Sequence, residues 1–170
     1  MSGNLWVIAG VAITRIPRGN LERGICAQAT LQCDKPAMTR ILIVEDDAAV
    51  GTAIRLMLGR EGCDAIHAED AESGLRAFLS SRFDLAIVDI FLGETSGLKT
   101  IAEFRRRAPT VPVLAMSGFR FRGSIDPVLD YHAMATQAGA AACLHKPFVP
   151  RQLMAAVHAS LAAASPTSAL

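Results

Sequence analysis

Five short apolar runs, each followed by a stretch with helical spacing, constrain this chain more than any other feature. The clearest is Leu85-Ala86-Ile87-Val88, unbroken and bounded by Asp84 and Asp89. A run that short, with β-branched members and no polar alternation, suits a strand covered on both faces. Ile41-Leu42-Ile43-Val44 repeats the pattern and runs into Glu45-Asp46-Asp47. Asp64 to Ala68, Val111 to Met116 and Ala141 to Leu144 supply three more strands. Ala48 to Arg60 carries Val50, Ala53, Ile54, Met57 and Leu58 at helical spacing, with Asp47 as its N-cap and Gly62 closing it. Further helices are predicted over Ala71 to Ser80, around Leu98 to Phe104 up to Pro109, from Asp126-Pro127 to Ala138-Gly139, and over Pro150 to Ala163. Five βα units in strict alternation predict an α/β fold with a doubly wound parallel sheet. Right-handed crossovers and short loops give the strand order 2-1-3-4-5.

This regular pattern occupies residues 39–163. The chain has 170 residues, half of them apolar and few aromatic, enough for one globular domain with spare segments. Residues 1–38 are punctuated by Pro17, Gly19, Gly24 and Pro36. A small strand at Trp6-Val7-Ile8 finds no partner, so a poorly ordered N-terminal extension is expected. A docking segment around Leu5 to Ile13 is the competing reading. Residues 164–170 read as a tail. Net charge is +1; Arg15, Arg18, Arg23, Lys35, Glu22 and Asp34 precede Thr39, which leaves 13 basic and 14 acidic side chains from there on. That balance gives no footprint for nucleic acid or a membrane surface. Arg105-Arg106-Arg107 complements a helix C-terminus. Cys26, Cys33, Cys63 and Cys143 show neither CxxC spacing nor a histidine cluster, which argues against a zinc site or disulfide framework and for the cytoplasm. The Leu5 to Ile13 run is too short to span a bilayer and lacks a preceding basic region.

Ligands in open α/β sheets bind beyond the carboxyl ends of the strands. Glu45 and Asp46 stand at the end of the first strand, Asp89 of the third, Ser117 of the fourth and Lys146 of the fifth. In the predicted order these strands are neighbours. Two unit charges about 5 Å apart repel by about 3 kcal/mol at an effective dielectric of ~20. Either a carboxyl pKa rises or a cation joins the three carboxylates. Mg²⁺ fits, since it takes one or two carboxylates plus water and substrate oxygens. A carboxylate nucleophile, a metal, a lysine and a hydroxyl are the parts needed to take up a phosphoryl group. Asp47 is assigned to capping. His67, His132, His145 and His158 are read as structural or surface residues, with His145 pointing away from the Lys146 side of its strand. A Rossmann nucleotide site is disfavoured, because Val44-Glu45-Asp46-Asp47 replaces the glycine fingerprint.

Taken in order, ILIVEDD at 41–47, FDLAIVDIFL at 83–92 with Gly97, AMSG at 115–118 and GAAACLHKPF at 139–148 resemble the receiver domain of two-component response regulators. The resemblance covers Thr39 to Ala163 and implies a flavodoxin-like fold. It implies that Asp89 is the phosphoacceptor, and that Glu45, Asp46, Asp89 and the Phe91 backbone carbonyl hold Mg²⁺. It implies that Lys146 pairs with the phosphoryl group, that Ser117 is the switch hydroxyl, and that Lys146-Pro147 forms a cis-proline turn. Cys143 stands where the family usually has the aromatic residue that moves with that hydroxyl; inert packing is favoured for it over a redox sensor. Leu92-Gly93-Glu94 lacks the usual proline, and the Phe119 to Asp126 loop lengthens the interval between Ser117 and Lys146. The expected function is that of a stand-alone receiver, cytoplasmic and not an enzyme in the ordinary sense. It would take a phosphoryl group from a histidine kinase or histidine phosphotransfer protein and act on an unknown output partner by protein contact or onward transfer. A phosphorylation-independent adaptor is the alternative. An aspartyl-nucleophile phosphatase is a weaker one, because Phe91 stands where such enzymes place a second Asp.

Overall fold

A computed structural model describes residues 5–9, 12–16, 38–93, 95–118 and 130–164. The chain divides into two compact units, Met1–Asp34 and Lys35–Leu170. In the first, β1 (Leu5–Ala9) pairs antiparallel with β2 (Ala12–Ile16), Leu5 opposite Ile16 and Ala9 opposite Ala12. The strand expected at Trp6 to Ile8 therefore has a partner. Thr14 and Arg15 interrupt the apolar character of that partner, which hid it in the sequence.

The second unit runs β3 (Arg40–Val44), α1 (Ala48–Arg60), β4 (Asp64–Ala68), α2 (Ala71–Ser80), β5 (Leu85–Asp89), β6 (Phe91–Leu92), β7 (Thr95–Ser96), α3 (Gly97–Arg107), β8 (Val113–Ser117), α4 (Tyr131–Gln137), β9 (Ala142–His145) and α5 (Pro150–Ala164). Five strands form one parallel sheet in the order β4-β3-β5-β8-β9. Counting only those five in chain order, this is 2-1-3-4-5, the flavodoxin-like arrangement predicted.

The apolar runs are continuous because both faces of the sheet are covered. Leu42, Val44, Ala86, Val88, Val113 and Ala115 pack with Phe78, Ile101 and Phe104 of α2 and α3. Ile41, Ile43, Leu85, Ile87, Leu114 and Met116 pack on the other face with α1 and α5. Alternate residues of each strand thus feed two cores. Each fully buried Leu, Ile or Phe contributes about 1.5–3 kcal/mol of transfer free energy. The Phe78 and Phe104 rings stack with centroids 4.2 Å apart.

Local signals set the element ends. The Asp47 carboxylate accepts from the N–H groups of Ala49 (2.9 Å) and Val50 (3.2 Å), starting α1 where predicted. Gly62, at φ +79°, turns the chain from α1 toward β4. The fourth sheet strand begins at Val113, two residues later than expected. Pro112 has no N–H for the ladder, and the Val111 N–H goes to the Ala108 carbonyl. The helix start expected at Asp126-Pro127 lies outside the described residues, as do most of the Phe119 to Asp126 loop's neighbours and that loop itself. The described part, α4, is capped by Asp130, which accepts from His132 and Ala133. Among the described residues no helix is long and apolar enough to cross a membrane.

Candidate functional site

Parallel pairing brings the strand ends to one edge. Glu45 and Asp46 leave β3, Asp89 ends β5 beside Met116 of β8, Ser117 ends β8 beside His145 of β9, and Lys146 follows directly. Gly97 makes room at the centre: a Cβ there would lie 1.8 Å from the Asp89 carbonyl oxygen. The tiny β6–β7 hairpin carries the chain back to that glycine, and was not legible in the sequence. Gly93, at φ +44°, lies in its turn, and its N–H donates to Asp46 Oδ2 at 3.0 Å.

Glu45 and Asp89 are 2% and 5% exposed, whereas Asp46 faces solvent. The Lys146 ammonium donates to Asp89 Oδ2 at 2.8 Å and also to Glu45 Oε2. The other Asp89 oxygen, Oδ1, accepts the Phe91 N–H at 3.1 Å. Burial pushes the Glu45 carboxyl above its usual range, the Lys146 hydrogen bond pulls against that without cancelling it, and the Asp89 charge adds to the rise. Burial alone would lower the Lys146 pKa, but its hydrogen bonds to Asp89 and Glu45 outweigh this and hold it above the usual lysine value. The repulsion expected among the carboxylates is therefore met in both ways, by a raised carboxyl pKa and by a resident ammonium.

One oxygen each from Glu45, Asp46 and Asp89 lie within 4.8 Å of one another. Opposite ligands of Mg²⁺ stand about 4.2 Å apart at bond lengths of 2.0–2.1 Å. An all-oxygen donor set of nearly that span fits this ion. The three acids open into a cleft of about 630 Å³ lined also by Phe91, Gly118 and Lys146. Phe91 meets Tyr131 of α4 edge to face, centroids 5.0 Å apart. Asp47 borders the cleft but its carboxylate caps α1. The Lys146-Pro147 bond is cis.

Ser117 ends β8 at the rim with its hydroxyl turned toward β9. Its Oγ lies 2.8 Å from His145 Nδ1, and it is not among the residues lining the cleft. The Cys143 thiol points at the same oxygen from 3.9 Å, and burial pushes the thiol pKa up. Two residues near the site were missed. His145, read as structural or surface, is the Ser117 partner. Parity held the signal: Val113, Ala115 and Ser117 share one face of β8, and the register puts Cys143 and His145 on that face of β9. His67 contributes as well, its Nε2 2.9 Å from the Glu45 carbonyl oxygen. A carbonyl only accepts, so Nε2 carries the proton. The His67 ring fills the space where a Gly51 Cβ would stand, 2.2 Å from Nε2. A glycine inside a helix is disfavoured by about 0.5–1 kcal/mol, so Gly51 was the available clue.

Comparison with known proteins places this geometry. Residues 41–158 match the response regulator receiver domain family. The alginate biosynthesis transcriptional regulatory protein AlgB of Pseudomonas putida is 36% identical over 114 residues, covering 67% of this chain and 24% of AlgB. The transcriptional regulatory protein CpxR of Klebsiella pneumoniae is 34% identical over 125 residues, 73% of this chain and 50% of CpxR. The chain thus spans between a quarter and a half of the length of these relatives. A CheY-like receiver domain protein from Methanospirillum hungatei superposes with a TM-score of 0.66 at 27% identity, covering 75% of this chain and 97% of that one. The receiver domain of NtrX from Brucella abortus gives 0.62 at 28% identity, over 72% and 98%. AlgB and CpxR are transcriptional regulatory proteins, so the expectation that nucleic acid plays no part, drawn from charge balance, is unsupported. With the family matched over most of its length and the fold shared with solved receivers, this chain belongs to the response regulator receiver domain family.

Proposed function

We propose that Asp89 accepts a phosphoryl group from a histidine kinase or histidine phosphotransfer protein in the cytoplasm, and that residues 39–163 are the receiver unit. Domains of this family are signalling domains that accept phosphoryl groups from histidine kinases and bind Mg²⁺ at an acidic site. The observation that carries the proposal is a buried Asp89 carboxylate, one oxygen on the Lys146 ammonium, beside Glu45 and Asp46 oxygens. A carboxylate oxygen of Asp89 forms the new P–O bond as the P–N bond of the donor breaks, and the departing imidazole keeps or regains its proton from water. Lys146 stays charged throughout and offers its N–H groups to the incoming oxygens. Glu45, Asp46, Asp89 and the Phe91 carbonyl would hold Mg²⁺, which supplies positive charge to the phosphoryl oxygens when bound. Ser117 then serves as the switch hydroxyl, with Cys143 beside it in place of an aromatic ring. Output by protein contact or onward transfer is part of this proposal; AlgB and CpxR carry their matching regions within longer chains.

A phosphorylation-independent adaptor is favoured by one observation, the Ser117 hydroxyl held by His145. Incubation with phosphoramidate and Mg²⁺ followed by a phosphate-affinity gel separates the two. A slowed band for wild type, lost with EDTA and absent for Asp89→Asn, is expected. A wild-type band identical to Asp89→Asn would refute phosphorylation at this residue.

A further inference from the structure

Ser117 ends β8 nearly fully buried, with its hydroxyl on a histidine rather than in the acidic cleft. A serine hydroxyl has one proton to give. The Cys143 thiol donates weakly toward Ser117 Oγ, and the hydroxyl sits in hydrogen-bond contact with His145 Nδ1, to which it donates when that nitrogen carries no proton. In that arrangement Nδ1 is the bare nitrogen, and Ser117 has no proton left for any other oxygen. The pair is set by the backbone as well. Ser117 and His145 are register partners, and the Lys146 N–H donates to the Ser117 carbonyl at 2.7 Å. Consecutive residues of one strand end therefore act on two parts of the site: His145 holds the hydroxyl, and Lys146 holds Glu45 and Asp89.

We propose that His145 is a positioning residue that keeps the Ser117 hydroxyl out of the cleft in the unphosphorylated chain, so that this hydrogen bond must break before Ser117 donates to a phosphoryl oxygen on Asp89. The proposal rests on Asp89 being the phosphoacceptor. It sets a threshold: the phosphorylated conformation is reached only by a group that offers the hydroxyl a better acceptor than imidazole. A charged phosphoryl oxygen does, since hydrogen bonds to ionised acceptors are roughly twice as strong as neutral ones.

Beryllofluoride with Mg²⁺, a phosphoryl mimic, tests this by ¹⁹F NMR titration on the full chain. Wild type, His145→Val, Ser117→Ala and the double variant form the cycle. Removing the competing acceptor is expected to tighten binding in His145→Val by about three- to tenfold, the worth of one ordinary hydrogen bond. The same change made in Ser117→Ala is expected to leave affinity unaltered. In wild type, the ¹⁵N resonance of His145 Nδ1 is expected to move on adding the mimic, toward its position in unliganded Ser117→Ala. Equal affinity of wild type and His145→Val, an equal gain in the Ser117→Ala background, or an unmoved Nδ1 resonance would overturn the latch alone. No Mg²⁺-dependent binding by wild type would overturn the phosphoacceptor reading and the latch with it.

Discussion

A methyl group at Gly97 would meet the carbonyl oxygen of Asp89, the proposed phosphoacceptor. Backbone cannot swing aside as a flexible side chain can, so Gly97→Ala is expected to cost about 3 kcal/mol, at the upper end of overpacking effects. Urea unfolding checks this, and an unchanged midpoint would contradict it. Gly51 meets a side chain instead. Gly51→Ala is expected to lose about 1–3 kcal/mol through collision with His67, and His67→Ala in the same chain to recover most of that loss. Failure of the second change to rescue the first would show that the ring is not what excludes a methyl there. Cys143 is expected to alkylate slowly at pH 8 compared with the denatured chain, because burial raises its pKa and leaves less thiolate. Peptide-level mass spectrometry after timed iodoacetamide treatment measures it. Rapid alkylation would revive a sensing role.

At the scale of elements, caps and exposed ion pairs set separate sensitivities. Asp47→Ala is expected to destabilise by about 1 kcal/mol through loss of the α1 cap, while leaving the phosphate-affinity band shift intact. Loss of the shift in a folded variant would place Asp47 in the metal site instead. Hydrogen bonds from Arg106 and Arg107 hold the Glu103 carboxyl at about 2, and the Ser73 backbone N–H holds Asp70 below its ordinary range. Folded values below unfolded ones mean stability that is present above the ordinary carboxylate range and lost as pH falls through the folded values. Asp70 is exposed and Glu103 partly so, and both face solvent screening, so the effect is small. Glu103→Gln is expected to flatten the fall in melting temperature between pH 5 and 2; an unaltered slope would show the pairs contribute nothing. The strands themselves were legible because Ile41–Val44 and Leu85–Val88 are sealed on both faces, which writes an unbroken apolar run into the sequence. Glu45 and Asp89 were legible because each follows such a run directly, and Lys146 because only His145 separates it from the shorter run that ends at Leu144. The β6–β7 hairpin, the His67 contact and the Ser117–His145 bond were not, since they depend on loop geometry, rotamers and a register between strands far apart in the chain.

For the molecule as a whole, the doubly wound order is what turns separate strand ends into one rim. β5 lies between β3 and β8 with β9 beyond, so Asp89 stands between the acids of β3 and the Ser117 and Lys146 ends of β8 and β9. The two apolar layers fix those strands, and hence the distances across the rim; Phe91 and Cys143 pack against one layer, while Glu45, Asp46, Asp89, Ser117 and Lys146 belong to neither. The position of phosphorylation is the most direct test. Borohydride reduces an aspartyl phosphate to homoserine, and peptide sequencing by mass spectrometry then locates it. After treatment with phosphoramidate and Mg²⁺, homoserine at position 89 is expected, absent when EDTA is added first. Phosphorylated protein yielding homoserine at another aspartate, or none at all, would contradict it.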